Sequence, residues 1–307
     1  MDTDYLRTFI EIIKRGSFSE AASALGITQP AVSLQVRRLE DDLNVRLLER
    51  GGGKIRLTSA GERFLRHCRD VVAHEQKLIE GLSQLSDEVR GSLSIAASTV
   101  PGEFLVPALL AEFVALNPAI DATVTIGDTD AVIDRAINGE CDIGFTGARA
   151  RHGRLHHLPF VRDRVILVAA MNHPFSQRSK VSIGELDGQP LVTREHGSGT
   201  MANVRRQLQD AGVKHDVWSS TTVLGSTEAV ISGVQAGLGV AFVSAFAAAT
   251  PVRAQTLAAV TVEGVDLERD LFIVYPQGGL ATRSEREFVE FAHSWGARHQ
   301  PPVLGAR

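Results

Sequence analysis

Cysteine is scarce in this chain. Its 307 residues hold two, Cys68 and Cys141, far apart and without a CxxC or other metal-ligand spacing. That excludes a thiol-redox motif and a structural zinc cluster, and both thiols are read as core residues. Long apolar runs are missing as well. No stretch approaches the ~20 residues a membrane helix needs. Glu11, Lys14 and Arg15 interrupt the apolar pattern of residues 1–20, where a signal peptide would keep it whole. A cytoplasmic chain with no membrane partner is expected. No segment is of low complexity, and 44% hydrophobic with 22% charged residues is a globular composition.

Enzyme motifs are lacking too. The chain has no P-loop pattern, no HExxH and no GxSxG. Gly237-Leu238-Gly239 has neither the third glycine nor the strand-before, helix-after setting of a dinucleotide fingerprint. His152, His156 and His157 form no ligand spacing with a carboxylate. No catalytic residue, metal or cofactor is therefore expected.

What is present concentrates in residues 17–50, SFSEAASALGITQPAVSLQVRRLEDDLNVRLLER. Ala21, Ala22, Leu25, Ile27, Val32, Val36, Leu39 and Leu43 recur at helical spacing, broken at Gly26-Ile27-Thr28. Gly26 can end one helix and Thr28 can cap the next, with Pro30 in its first turn. The small Ala21 and Ala22 let the helices cross closely, as a helix-turn-helix requires. On the second helix, about 29–41, Val32, Val36 and Leu39 face inward. Gln29, Ser33, Gln35 and Arg37 or Arg38 are read as facing outward, side chains suited to base edges and phosphate. An ordinary solvated helix face is the alternative reading of such a stripe. Gly51-Gly52-Gly53-Lys54 then makes a turn, and residues 55–58 alternate like a short strand. Arg50, Lys54 and Arg56 on a glycine-tipped hairpin make a wing whose cations would reach the backbone or minor groove.

TQPAVSLQVRRLEDDLNVRLLER followed by LTSAGE resembles the amino-terminal domain of the LysR-type transcriptional regulators. Two places depart from the family pattern: Leu48 stands where Phe is usual, and the wing tip is unusually small. The resemblance implies a set of DNA-contacting residues, Thr28, Gln29, Pro30, Ser33, Gln35, Arg37 and Arg38, with Arg50, Lys54 and Arg56 on the wing.

Charge is divided along the chain in a way the net value of −4 hides. Residues 1–69 hold 12 Lys and Arg against 9 Asp and Glu, a balance of +3 that leaves −7 for the remainder. The excess sits mainly between Arg37 and Arg69, the recognition helix, wing and following helix. It is small, so binding would depend on dimeric display and fall with salt.

Residues 3–15 predict a first helix, ended by Gly16. From Ser59 to about residue 88 a long helix is predicted. Phe64, Cys68, Val71, Leu78, Leu82 and Leu85 form a heptad seam on it, with Glu75 in one vacancy. About eight turns exceed what a small winged domain covers, so pairing between two subunits is the favoured reading. Beyond Gly91 strands alternate with helices. Residues 92–98, 122–126 and 141–147 read as strands and 103–118 and 129–140 as helices, an order that argues a parallel sheet. A second such unit follows. The chain crosses out of one lobe near 161–165 and returns near 267–272, ending in a helix over 283–298.

The fold class is therefore α/β with an N-terminal winged helix-turn-helix domain. The resemblance covers essentially the whole chain and adds a two-lobed periplasmic-binding-protein-like effector domain. The expected domains are 1–58 (DNA-binding), 59–90 (linker and dimerisation helix) and 91–300 (effector-binding). Lobe I spans about 91–161 and 268–300, and lobe II about 162–267.

Ligands of open parallel sheets collect at strand carboxyl ends, where helices begin. Residues 98–102, 127–129, 146–147, 194–200 and 225–228 are such junctions, each also readable as ordinary helix capping. Among them, the resemblance favours Ser98, Thr99, Thr129, Ser198 and Thr200. Val100, Thr146, Gly147, Gly199 and Thr227 complete the candidate effector-binding set. Arg194 could supply charge or be paired with Glu195. REHGSGT and QAGLGVAFVS look most like the branch containing carbon-fixation and sulfur-assimilation activators, which implies a small anionic effector. The partners so implied are double-stranded DNA carrying an interrupted palindromic operator, a further copy of the chain in a homodimer or homotetramer, and RNA polymerase as an additional candidate. A peroxide-sensing cysteine pair in the later lobe, found in some family members, is not expected, since no cysteine follows Cys141.

Overall fold

The computed structural model of the chain describes residues 2–49, 55–82, 89–149, 153–195, 198–212 and 220–304. Two compact units divide it, Met1–Asp87 and Glu88–Arg307.

Among the described residues the first unit holds four helices: α1 (Thr3–Arg15), α2 (Phe18–Leu25), α3 (Gln29–Leu43) and α4 (Ser59–Leu82). Their limits follow from local chemistry. Ser17 accepts from the backbone N–H of Glu20 at the start of α2, and Thr28 accepts from Ala31 N–H at the start of α3. Gly16 and Gly26 end α1 and α2 in the left-handed conformation, at φ 66° and 67°. Leu6, Phe9, Ile12, Ala21, Val32 and Leu39 fill one core.

Phe64, Cys68 and Val71 of α4 pack into that same core, with the Phe64 ring edge-on to Phe9 at 5.4 Å. The first half of the expected seam is thus consumed inside its own unit. Glu75 pairs with Arg7 of α1 at 2.9 Å, and Leu78 is left 64% exposed. The side chain of Leu82 and all of Leu85 lie outside the described residues, as does α4 beyond Leu82. Both thiols are buried, and burial pushes each pKa to about 12.

The wing is smaller than the alternation of residues 55–58 predicts. In place of a strand there is one antiparallel bridge, Leu48 to Leu57, and a bond from Glu49 N–H to Arg56 O at 2.9 Å. A side chain not singled out in the sequence fixes its base. Glu40, near the end of α3, accepts from Leu47 N–H at 2.7 Å, Leu48 N–H at 3.2 Å and Arg46 Nη1 at 2.7 Å. Burial alone would raise its pKa, but these donors outweigh that and hold it below the ordinary value of 4.5.

The second unit begins with β1 (Arg90–Ser98), α5 (Thr99–Phe104), α6 (Val106–Leu116), β2 (Ala119–Gly127), α7 (Thr129–Ile137) and β3 (Ile143–Thr146). Residues 103–118 are not one helix. Leu105, at φ −123° and ψ −52°, separates α5 from α6, because Pro107 cannot donate back to the preceding turn. Residues 99–102 are consequently helical rather than loop. The 16-residue β4 (Leu155–Ala170) then crosses into lobe II. There follow β5 (Lys180–Val181), β6 (Pro190–Arg194), α8 (Gly199–Asp210), β7 (Ser220–Leu224), α9 (Thr227–Gln235), β8 (Ala241–Ser244), α10 (Ala245–Arg253) and β9 (Leu257–Val262). β10 (Glu268–Pro276) returns to lobe I and α11 (Arg283–Arg298) covers it. The pair α10–β9 is not read from the sequence, since an alanine-rich helix containing Pro251 carries little periodic contrast.

The sheet runs β2-β1-β3-β10-β4-β9-β5, with β8 also on β4. β1 is parallel to β2 and β3, as the alternation predicts. β10 is antiparallel to β3 and β4, and β8 and β9 are antiparallel to β4. The crossing strands meet in register at Asp163 and Arg269. Their side chains form a buried ion pair, Nη2 to Oδ2 at 2.8 Å, and Ser244 Oγ donates to the other carboxylate oxygen at 2.7 Å.

Glu40 carries a pH prediction. A depressed folded pKa contributes stability at neutral pH, which declines below about pH 4.5 and is gone once pH falls through the folded value. Glu40→Gln should cost about 1–3 kcal/mol at pH 7, the worth of charge-assisted bonds lost, and nothing in strong acid. Urea unfolding of wild type and variant across pH 2–7 checks this; a pH-independent difference would refute it.

Candidate functional site

The DNA-facing candidates sort into distinct environments. Gln29, Ser33 and Arg37 lie at successive i,i+4 positions on one stripe of α3, and Gln29 Nε2 donates to Ser33 Oγ at 3.3 Å. Gln29 and Arg37 are exposed and Ser33 half-buried. Thr28 and Pro30 are exposed at the helix start, with the Thr28 hydroxyl serving as cap. Arg38 is exposed but donates Nη1 to Tyr5 Oη of α1 at 2.7 Å. Gln35 turns partly inward, and its Oε1 is buried without a partner among the described residues. Leu34, 51% exposed, adds an apolar point to the surface that sequence periodicity does not distinguish from core. Arg56 is exposed at the wing base; Arg50 and Lys54 lie outside the described residues.

In the second unit the carboxyl ends of β1 and β3 meet the start of α8 between the lobes. Ser98 and Ser198 occupy the positions before α5 and α8, yet neither side chain makes a capping bond. Asp128 and Ser226, before α7 and α9, do cap their helices. This separates two groups the sequence leaves equivalent. Ser98 Oγ and Thr129 Oγ1 are buried with no partner among the described residues. A Cβ on Gly147 would lie 3.8 Å from each of these oxygens, and one on Gly199 would lie 3.1 Å from Thr129 Oγ1. Glycine at both positions lets lobe II approach the hydroxyl niche of lobe I. Ser198 is buried and Thr200 half-buried in the first turn of α8. Thr146 is fully buried and gives its hydroxyl proton to Ala148 O at 2.9 Å. Val100 packs its side chain into the lobe I core.

Arg194, at the end of β6, is committed. Nη1 donates to Thr99 Oγ1 of lobe I at 2.8 Å and to Thr227 Oγ1 at 3.2 Å. Nε donates to Glu195 Oε2 at 2.9 Å, and Nη2 to the other oxygen of that carboxylate. Of the two readings of Arg194, pairing with Glu195 is the one observed. The guanidinium holds Glu195 below the usual carboxylate range. Glu103, absent from the candidate set, lies near this latch. Burial, then the Glu228 carboxylate, pushes its pKa up against the pull of Arg194. Among the described residues no His/Cys/Asp/Glu group suited to a metal ion occurs, and no helix is long and apolar enough to cross a membrane.

Comparison with known proteins matches residues 3–62 to the family model for bacterial regulatory helix-turn-helix proteins, lysR family. Residues 86–297 match the LysR substrate binding domain. The transcriptional activator CmpR of Synechocystis is 31% identical over 287 residues, 93% of this chain and 93% of CmpR. Full-length OxyR of Pseudomonas aeruginosa shares the fold at a TM-score of 0.78 and 19% identity, covering 100% of this chain and 98% of OxyR. The Synechocystis CcmR regulatory domain, solved in complex with 2-PG, aligns at a TM-score of 0.63 and 21% identity, covering 69% of this chain and all of that one.

The orphaned hydroxyls give a stability prediction. Replacing Thr129 by Val keeps the shape and removes an unsatisfied buried oxygen, so Thr129→Val should leave the ligand-free protein as stable as wild type or up to about 1 kcal/mol more stable. Thermal unfolding measures it; a loss beyond 1 kcal/mol would mean that the hydroxyl is bonded.

Proposed function

The chain belongs to the LysR family of bacterial transcriptional regulators, and on that premise we propose how its two units divide the work. Residues 1–58 bind an interrupted palindromic operator in double-stranded DNA, and 59–90 join subunits in a homodimer or homotetramer. Residues 91–300 bind a small anionic effector between the lobes. The setting is the cytoplasm, and RNA polymerase is the partner through which an activator of this kind would work.

On α3 the stripe Gln29–Ser33–Arg37 enters the major groove. Gln29 is suited to adenine, Arg37 to guanine or phosphate, and Leu34 to a thymine methyl. Arg38, tethered to Tyr5, contributes chiefly to the phosphate backbone. Arg50, Lys54 and Arg56 contact the flanking backbone from the wing.

The observation that carries the effector reading is the pair of partnerless hydroxyls, Ser98 Oγ and Thr129 Oγ1, opposite Gly199. A buried polar group without a partner is costly, and an oxyanion would accept from both. Thr99, Val100, Thr146, Gly147, Arg194, Ser198, Thr200 and Thr227 form the rest of the site. Val100 acts through its backbone, and Arg194 as a latch between the lobes rather than a free anion ligand. The complex of CcmR with 2-PG supports an anion of this size. An effector that favours one lobe arrangement shifts the equilibrium toward it, and paired subunits pass the shift on as a change in spacing between DNA-bound domains.

Electrophoretic mobility shifts with the chain's own promoter test the DNA half. Arg37→Ala should weaken specific binding by about 1–3 kcal/mol, with Arg38→Ala lowering specific and random-duplex binding alike and reducing the salt slope by about one. Wild-type affinity in both variants would sink the proposed reading face.

A further inference from the structure

A large cavity adjoins the candidate site and extends beyond its residues. Beside the Gly147–Gly199 approach lies a chamber of about 800 Å³. Ala148 and Arg149 wall it from the loop after β3, Asn203 and Arg206 from α8, and Arg269 and Phe272 from β10. A single oxyanion needs far less space; cavities of this volume are typical of organic ligands, whose sites run roughly 300–1,000 Å³.

The charges around it are unequally committed. Arg269 pairs with Asp163, its Nε donating to Oδ2 at 2.9 Å, while its Nη2 lies 2.8 Å from the same oxygen without hydrogen-bond geometry. Glu268 is held by Arg162 at 3.2 Å and by Arg164 at 2.7 Å. Asp270 at the rim is exposed, as are Arg149 and Arg206. Arg206 Nη2 donates to Asn203 Oδ1 at 2.9 Å, which leaves the amide nitrogen as the group still to be satisfied. Asn203 is 7% exposed, and its Nδ2 has no partner among the described residues. A buried donor with no acceptor, on the wall of a cavity with arginines at its mouth, is complementary to an anion. Gly147 and Gly199 line this chamber and also border the Ser98–Thr129 niche; a Cβ on Gly199 would lie 3.2 Å from the Gly147 carbonyl carbon, so a ligand spans both only where these two backbones part.

Resting on the cleft as the effector site, we infer that the effector is a two-ended organic anion. One anionic group sits at the Ser98 and Thr129 hydroxyls. A carbon chain runs past the two glycines along Ala148 and Phe272, and a second acceptor-bearing group meets Asn203 Nδ2 near Arg149 and Arg206. Asn203 is then a specificity-determining residue, separating two-ended anions from bare oxyanions.

Isothermal titration of the full-length protein with inorganic phosphate, 2-phosphoglycolate and fructose 1,6-bisphosphate tests this. At least one two-ended probe should bind at least tenfold more tightly than phosphate. Asn203→Leu and the isosteric Asn203→Asp should each remove about that factor, the worth of one hydrogen bond to a charged group, with ligand-free thermal unfolding unchanged in Asn203→Asp. Phosphate binding as tightly as both longer probes, no binding by any of the three, or two-ended binding unchanged in both variants would overturn the inference. Thr129→Val keeps the two readings apart. If it abolishes all binding while the Asn203 variants bind normally, the cleft stands and the two-ended class falls. If it changes nothing while the Asn203 variants lose binding, the niche falls and the chamber remains.

Discussion

The second unit turns on one buried ion pair. Asp163 and Arg269 face each other across the two strands that, among the described residues, cross between the lobes, with side chains 0% and 5% exposed. Taking two charges out of water is costly, and the pair is tolerable because its geometry is close and further groups share the charge. Ser244 donates to the carboxylate, and Arg269 Nη1 reaches toward Gly147 O at 3.5 Å. The strand crossing is therefore linked by this contact to the lip of the cleft. Removing either partner would leave an uncompensated charge, at a typical cost of about 3–5 kcal/mol. The pair thus ties the two crossing strands together where they meet in register.

Around that pin the cleft combines two kinds of polar group. Arg194 is saturated by Thr99, Thr227 and Glu195, and its bond to Thr99 spans the lobes. Ser98, Thr129 and Asn203 each keep an atom buried and unsatisfied. The saturated group stabilises the present lobe arrangement, whereas the orphans cost stability that a ligand can restore. Sites held below their stability optimum in this way are a common cost of function. A ligand shifts an equilibrium only by its differential affinity, and in the proposed site the orphaned groups would supply that difference.

In the first unit Glu40 has a comparable organising part on a smaller scale. One carboxylate gathers two backbone N–H groups and Arg46, tying the end of the recognition helix to the base of the wing. Among the described residues of the wing the ladder is a single bridge, and this tether supplements it. The exposed stripe of α3 also depends on packing for its shape. Tyr5 from α1 holds Arg38, and Gln35 is drawn inward, so the exposed line narrows to Gln29, Ser33 and Arg37.

Much of this was legible in the residue order. The helix-turn-helix follows from apolar spacing, Gly26 and Thr28, and the β-α alternation from periodicity and turns, because such preferences are set by neighbours a few positions away. Where signals were local but ambiguous, reading failed: Pro107 split a helix, alanines hid α10, and the seam of α4 gave no sign of which half was already occupied. The junction residues of the cleft could be named, but not sorted. Whether a serine before a helix caps it or waits for a ligand depends on what lies across the cleft, and capping by Ser226 with none by Ser98 is invisible in sequence. The partners of Arg194 and Arg269 include residues 95 and 106 positions away, and Asn203 gained its meaning from a cavity built by three separate segments. Local periodicity and capping chemistry determined most of the elements, and the motif TQPAVSLQVRRLEDDLNVRLLER followed by LTSAGE carried the resemblance to the family. Burial and long-range pairing, which exist only once the chain has closed on itself, decided which polar atoms are spent and which are left to bind.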